Sequence, residues 1–177
     1  MCPTFVSSAS SGWKGRDFLS FPVRVYTEEE VRQAKALIDK GYRHRLRISG
    51  SVHFKRKVKQ ALALLKTAGY YGFFRTYMAK ITEIDGLTQL RQSEAALWLN
   101  KYAVKNSVDA ASLFVQKANL MKEYLEGTLY YGGQAEKRSG EKRMKFLEEL
   151  KLKSKEKSLA KECERLIQMW KESSLVY

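Results

Sequence analysis

Cysteine, proline and long apolar runs are all scarce in this chain of 177 residues. The two cysteines, Cys2 and Cys163, lie at opposite ends of the sequence and give neither a disulfide framework nor the spacing of a metal site. No window approaches the roughly 18 consecutive apolar residues of a membrane-spanning helix. These absences exclude a disulfide-stabilised secreted scaffold and a membrane protein, and they indicate a reducing compartment.

The first 20 residues lack the basic start and apolar centre of a secretory signal. We therefore expect a flexible N-terminal tail at 1–20, a single globular domain at 21–177 and a cytoplasmic location. The tail is rich in serine and holds one acid, Asp17, which is also a composition of organelle transit segments. Organelle targeting is therefore the alternative.

Caps and hydrophobic periodicity predict an α+β domain that is predominantly helical, with a small sheet packed on a central helix. Thr27 and Glu30 have the spacing of a capping box at the start of the first helix. The run at 95–99 fits a buried strand or a helix, because periodicity cannot distinguish the two over so few residues. The predicted helices are 28–40, 52–68, 70–77, 107–126, 134–151 and 154–171, and the predicted strands are 42–48 and 80–84.

Acidic residues are absent between Lys40 and Thr82, although this segment carries 11 lysines and arginines. The whole chain has a net charge of +14, and this stretch supplies most of it. A polyanion relieves such crowding of like charge, so nucleic acid or another polyanion is the expected partner and a solvated basic surface is the alternative. The segment lacks RNP, KH and zinc-finger spacings, which favours contacts to phosphates over sequence reading.

Two short elements are expected to carry the phosphate contacts. Alternation over 42–48 places three arginines on one side of a strand, and the helix at 52–68 carries three lysines beside its buried face. Planar guanidinium groups match phosphate oxygens well. The aromatic run at 70–77 is interpreted as core rather than as a platform for bases. The predicted nucleic-acid-binding residues are Arg43, Arg45, Arg47, Lys55, Lys59 and Lys66.

The helix predicted at 107–126 is apolar over more than half of its circumference, which is typical of a helix at the centre of a domain. Most of its polar residues follow one another at helical spacing and form a single stripe. This stripe faces solvent or lines a cleft, and we expect its side chains to be partly accessible. Its members are Ser112, Gln116, Asn119 and Glu123.

The order of segments between 46 and 150 carries a further signal. Ile48-Ser49-Gly50-Ser51 leads into one helix, the central helix follows, and Ala135-Glu136 comes after it. This order resembles that of the small zincin-like metallopeptidases, in which the central helix holds an HExxH motif and a downstream Ala-Glu provides the third zinc ligand. The resemblance is one of pattern and not of a diagnostic motif.

The resemblance places the motif on 116–120, where its residues are replaced. Gln116 and Leu120 stand at the two histidines, and Lys117 stands at the general-base glutamate, whereas Glu136 matches the third ligand. A catalytic zinc needs three protein ligands, and a lysine cannot act as the carboxylate base. The resemblance therefore implies a metal-free relative with a remnant cleft at Gln116, Leu120 and Glu136.

Other chemistry is sparse in the sequence. His44 and His53 have no paired cysteine or carboxylate cluster near them, and Cys163 lies between two glutamates that disfavour a thiolate. We expect no catalytic residue, no metal and no cofactor. The predicted function is a non-enzymatic basic protein that engages nucleic acid or a ribonucleoprotein surface through 40–80. The alternative is a metal-free zincin-like pseudo-enzyme that serves as a protein-interaction scaffold, and neither reading involves a membrane.

Overall fold

A computed structural model describes residues 20–174, so the predicted tail at 1–20 lies outside the described residues except for Ser20. The described part is 62% helical, with six helices and a small mixed sheet, which confirms the predominantly helical α+β fold. No helix in it is long and apolar enough to cross a membrane. The helices are α1 Glu28–Asp39, α2 Val52–Ala68, α3 Tyr71–Tyr77, α4 Ser107–Leu125, α5 Gly133–Lys153 and α6 Lys157–Ser174, and the strands are β1 Arg47–Ser49, β2 Lys80–Glu83, β3 Gln89–Arg91 and β4 Ala96–Leu99.

The predicted caps set the ends of the first two helices. Thr27 and Glu30 form the capping box, in which the Thr27 amide donates to the Glu30 carboxylate at 2.8 Å and the Glu30 amide donates to the Thr27 hydroxyl at 3.2 Å. The Ser51 hydroxyl accepts from the amide of Phe54 at the start of α2. Gly69 ends α2 with a φ of +84°, a conformation that glycine adopts without strain.

The four strands form one sheet in the order β1-β2-β4-β3. β1 pairs parallel to β2 and β2 pairs parallel to β4, whereas β3 pairs antiparallel to β4. Helices α2 and α3 make the crossover between the parallel strands β1 and β2. The run at 95–99, which the sequence left open, contains the buried strand β4.

The two faces of the sheet differ in chemistry, because side chains alternate along each strand. One face carries Ile48, Ile81, Leu97 and Leu90, which belong to the apolar core or pack against it. The other face, called the outer face below, carries polar and charged residues, one tryptophan and the fully buried Ala96. By register its members are Arg47, Ser49, Lys80, Thr82, Gln89, Arg91, Ala96 and Trp98.

Helix α4 lies at the centre of the helical layer, in contact with α1, α2, α3, α5 and α6. Its Phe114 ring stacks on Phe74 of α3 at 5.4 Å between ring centres, and both rings are fully buried. Leu97 of the sheet and Phe146 of α5 lie in the same core cluster. Burial of these large apolar side chains is the main stabilising contribution to the fold.

Three predicted boundaries are corrected by the structure. The strand expected at 42–48 is limited to β1, because the amide of His44 donates to the carbonyl oxygen of Arg75 in α3 and not to a strand. The side chain of Asn106, rather than Ser107, caps α4 by accepting from the amides of residues 108 and 109. Helix α6 begins at Lys157, three residues later than expected.

Candidate nucleic-acid interface

The basic residues of the segment 40–82 have no acidic partners. Among the described residues none of its 11 lysines and arginines forms an ion pair, whereas eight ion pairs bind basic residues elsewhere in that part of the chain. None of the 11 side chains is buried. The positive charge of this segment is therefore offered to solvent without local neutralisation.

Helix α2 presents one group of these cations. Lys55 and Lys59 line a shallow groove on its exposed side, and Arg56 lies between them. Phe54 and Leu65 belong to the face of α2 that was expected to be buried, and both are fully buried. The lysines lie beside this buried face. Arg56 was absent from the predicted set, although its position on the exposed side of the helix follows from the same periodicity.

Helix α3 contacts a lysine of α2 on one hand and an arginine that precedes β1 on the other. The Lys66 ammonium lies 4.8 Å from the centre of the Tyr71 ring, and the Arg75 guanidinium lies 5.6 Å from it. A Cβ at Gly72 would be 3.2 Å from Nη1 of Arg43, so the absence of a side chain lets Arg43 lie against α3. The structure thus places both Arg43 and Lys66 against α3 and adds Arg75, which the sequence analysis missed.

The remaining two predicted arginines lie together farther along the extended segment. Arg45 and Arg47 line a depression that also contains Tyr42 and His44. The alternation predicted over 42–48 extends beyond the paired residues of β1, since the arginines are exposed and His44 is buried. Arg45 and Arg47 therefore present two guanidinium groups from one side of the chain.

His44 does not add to this positive charge. It is 4% exposed, and its ring packs against Phe21 and Tyr42 with ring centres 4.3 Å and 5.0 Å away. Burial, together with the nearby Arg75 guanidinium, lowers its pKa from 6.5 to about 4. The imidazole is therefore neutral near pH 7 and acts as a core side chain.

The C-terminal helices contrast with the basic segment, because acidic residues lie among their basic ones and form ion pairs with several of them. Lys151 of α5 bonds to Glu164 of α6, and Arg165 forms a two-point contact with Glu162. Asn106, the cap of α4, also donates to Glu162 at 2.6 Å. Acidic and basic residues are interspersed on this surface, in agreement with its interpretation as a solvated face of mixed charge.

The polar stripe of α4 is covered by α5, so its expected accessibility is wrong for three of its four members. Ser112, Gln116 and Glu123 are buried, at 0%, 7% and 7% exposure. Arg143 of α5 accounts for two of them, because it donates to the Ser112 hydroxyl at 2.8 Å and to the Gln116 side-chain oxygen at 3.0 Å. Buried polar groups need such partners, and the stripe supplies the acceptors for a buried guanidinium.

The three residues of the predicted remnant cleft do not line an open cleft together, because Gln116 and Leu120 are buried while Glu136 is exposed. They nevertheless lie on adjoining helices: the Gln116 side chain donates to Ser139 at 3.5 Å, and Ser139 donates to the carbonyl oxygen of Glu136 at 3.0 Å. Burial lowers the pKa of Lys117, and the charge of Glu136 opposes this effect.

Metal and thiol chemistry have little support in the described part of the chain. No group of three or more His, Cys, Asp or Glu residues there is placed to hold a metal ion. Cys163 is a buried free cysteine, and burial, assisted by Glu162, raises the pKa of its thiol to about 11. The thiol is therefore protonated near neutral pH, which makes it a poor nucleophile.

Comparison with known proteins adds no homologue to these observations. A scan against protein-family models, a search of curated proteins and a search of solved structures found no match. The zincin-like resemblance therefore stays a prediction, and function is argued from the basic surface.

Proposed function

We propose that the protein binds nucleic acid, alone or within a ribonucleoprotein, through the phosphate backbone and with the basic residues of 40–82. The observation that carries this proposal is a set of 11 basic side chains, none buried and, within the described residues, none in an ion pair. A phosphate backbone supplies the missing negative charge and gains entropy by releasing its own counterions.

The residue types on this surface support backbone contacts rather than sequence reading. Guanidinium groups such as those of Arg45 and Arg47 donate two parallel hydrogen bonds to one phosphate. Gln60 is the one amide side chain between 40 and 82, and amides are the usual readers of adenine. Binding is therefore expected to vary little with nucleotide sequence.

Reversal of charge on α2 tests the proposal. The double variant Lys55→Glu, Lys59→Glu should weaken binding to a labelled oligonucleotide by at least about tenfold at low salt, because two contacts become repulsive. The first turn of α2 contains no acidic residue, so a glutamate near this end suits the helix dipole and does not disturb the helix. Fluorescence anisotropy measures the affinity, and circular dichroism checks the fold.

A matched control lies on α6, where Lys157 and Lys161 have the same spacing and are exposed. Lys157→Glu, Lys161→Glu changes net charge equally but should reduce affinity much less. Equal losses in the two variants would show that net charge alone drives association. Absence of binding to RNA and DNA at low salt would remove the proposal.

The alternative function, a metal-free scaffold that binds a protein, has one supporting observation. A cavity of about 260 Å³ lies between α5 and α6, lined by Met144 and Trp170 with Glu136 and Glu141 among its other residues. Lys137 also lines the cavity, and the Arg143 guanidinium already lies 4.4 Å from the centre of the Trp170 ring, so the apolar floor suits an apolar side chain of a partner protein. Nuclease treatment distinguishes the two functions, because a complex formed through this cavity survives it.

A further inference from the structure

The outer face of the sheet brings together side chains that the proposed function does not yet use. Register places Arg47 beside Lys80 on the parallel strands β1 and β2, and it places Thr82 beside Trp98 on β2 and β4. Arg91 of the edge strand β3 shares this face. Cations, a hydroxyl group and an indole therefore lie on one surface.

Two flat groups are stacked on this face. The Arg91 guanidinium lies 4.7 Å from the ring centre of Trp98, and both side chains are half-buried. Such a pair holds both planes in one orientation before any ligand arrives. Aromatic rings and arginine planes on sheets are the groups on which unpaired bases stack.

Hydrogen-bonding groups on the outer face lack partners. Within the described residues, five buried side-chain atoms have no hydrogen-bond partner. Three of them are Thr82 Oγ1, Trp98 Nε1 and Arg91 Nε, of which Arg91 Nε is in an ion pair with Glu94 at 3.9 Å. Buried polar groups are normally satisfied, so their concentration on one face needs an explanation. A ligand reaches these atoms only when the side chains of Trp98 and Arg91 turn aside, and the edges of bases then supply the missing donors and acceptors.

The charge of the face selects an anionic occupant. Arg47 and Lys80 are directly paired, which sets two like charges side by side. None of the residues at paired positions on this face is acidic, and the nearest acidic partner of Arg91 is Glu94, at 3.9 Å. Phosphates beside Arg47 and Lys80 would relieve this repulsion.

We propose that the outer face binds a short single-stranded stretch of nucleic acid, with a base against Trp98 and Arg91 and phosphates at Arg47 and Lys80. This inference rests on the proposed function and specifies its ligand as a strand with unpaired bases. A four-stranded sheet accommodates roughly two or three bases in this way. A duplex cannot use the face, because its bases are already stacked and paired.

The test compares Trp98→Ala with wild type on two probes, a labelled oligouridylate and a duplex with the same number of phosphates. Affinity for the single strand should fall about 5- to 100-fold, the range expected for loss of one base–aromatic stack. Affinity for the duplex should stay within about twofold. Trp98→Phe keeps a ring and should retain most single-strand binding. Tyr102→Ala, which removes a 72% exposed aromatic outside the outer face, is the matched control.

Each remaining outcome decides the inference. If Trp98→Ala binds the single strand as well as wild type does, the outer face is not the site, although reversal at Lys55 and Lys59 can still establish the proposed function. If Trp98→Ala does not fold, photo-cross-linking of wild type to a bromouridine strand replaces it. Cross-links at 89–99 support the inference, and cross-links confined to α2 overturn it.

Discussion

His44 lies within the most basic stretch of the chain and carries no charge near neutral pH, because burial and Arg75 lower its pKa to about 4. Neighbouring Arg43 and Arg45 are exposed. The difference comes from alternation, which turns one residue towards the core and the next towards solvent. The depression at Arg45 and Arg47 is therefore lined by cations on one side and by a neutral ring on the other.

The lowered pKa of His44 predicts acid sensitivity. Unfolding returns the pKa of His44 to its ordinary 6.5. Between about pH 6.5 and pH 4 the imidazole is therefore protonated in the unfolded chain but neutral in the folded one. The contribution of His44 to the free energy of unfolding is fully present above about pH 6.5, and it falls by about 3 kcal/mol as the pH decreases to 4. His44→Phe should flatten this fall in urea unfolding measured from pH 7 to pH 4. His53→Phe, at an exposed position, should not, and equal curves for both variants would contradict the assignment.

Arg143 shows a limit of residue-by-residue prediction. The sequence places it in a helix of mixed charge, where solvent exposure is the natural expectation. In the structure it is 5% exposed and bonded to Ser112, Gln116 and Asp109 of α4. The polar stripe on α4 was visible in the sequence, but its partner depends on how α4 and α5 face each other, which periodicity does not contain.

At the scale of elements, the start of α2 depends on a side chain from β2. The Glu83 carboxylate accepts from the Ser51 amide at 2.6 Å and from the Ser51 hydroxyl at 3.2 Å. Helix α2 has no acid in its own first turn, so Glu83 supplies the negative charge that a helix N-terminus favours. Gly50 permits this approach, because a Cβ there would lie 2.6 Å from that of Glu83.

Gly50→Ala should therefore destabilise the protein more than Gly41→Ala. Both glycines have positive φ, +144° and +86°, but Gly41 has open space around its missing side chain. We expect a loss of about 1–2 kcal/mol at Gly41 from backbone strain alone and about 2–4 kcal/mol at Gly50, where Glu83 is also displaced. Thermal or urea unfolding measures both, and equal losses would show that the contact with Glu83 is unimportant.

The elements themselves were largely predictable, because caps and apolar spacing are local properties. The two ends of α2 follow from Ser51 and Gly69, both of which function as expected. The extent of β1 was not predictable, since the residues before it bond to α3 instead of to β2. Strand pairing depends on distant partners, so alternation reveals an extended chain but not its hydrogen bonds.

At the scale of the whole molecule, positive charge and paired charge occupy different parts of the sequence. The segment 40–82 carries cations without acids, whereas α5 and α6 carry both signs and pair some of them. Composition alone revealed this asymmetry. Helical periodicity was enough to place Lys55 and Lys59 beside the buried face of α2. The contact of Lys66 with α3 was hidden, because Tyr71 packs against the core as expected and also lies beneath the Lys66 ammonium.

This distribution predicts a steep salt dependence of nucleic-acid binding. If the six predicted residues each neutralise one phosphate, the logarithm of affinity should fall against the logarithm of salt concentration with a slope of roughly −4 to −5. Removal of Lys55 and Lys59 as alanines should make the slope shallower by about 1.5. Titrations between low and physiological salt measure it, and a slope near zero would argue against phosphate contacts.

β1 is an edge strand of the sheet, because among the described strands it pairs only with β2. The unpaired backbone groups of an edge strand are a template for pairing with another chain, and such pairing can start aggregation. Here the edge strand is three residues long and begins at Arg47, and Arg45 lies two residues before it. Short length and positive charge are features by which natural proteins disfavour pairing between copies, so the arginines that would hold phosphates also disfavour pairing of β1 with the same strand of a second copy.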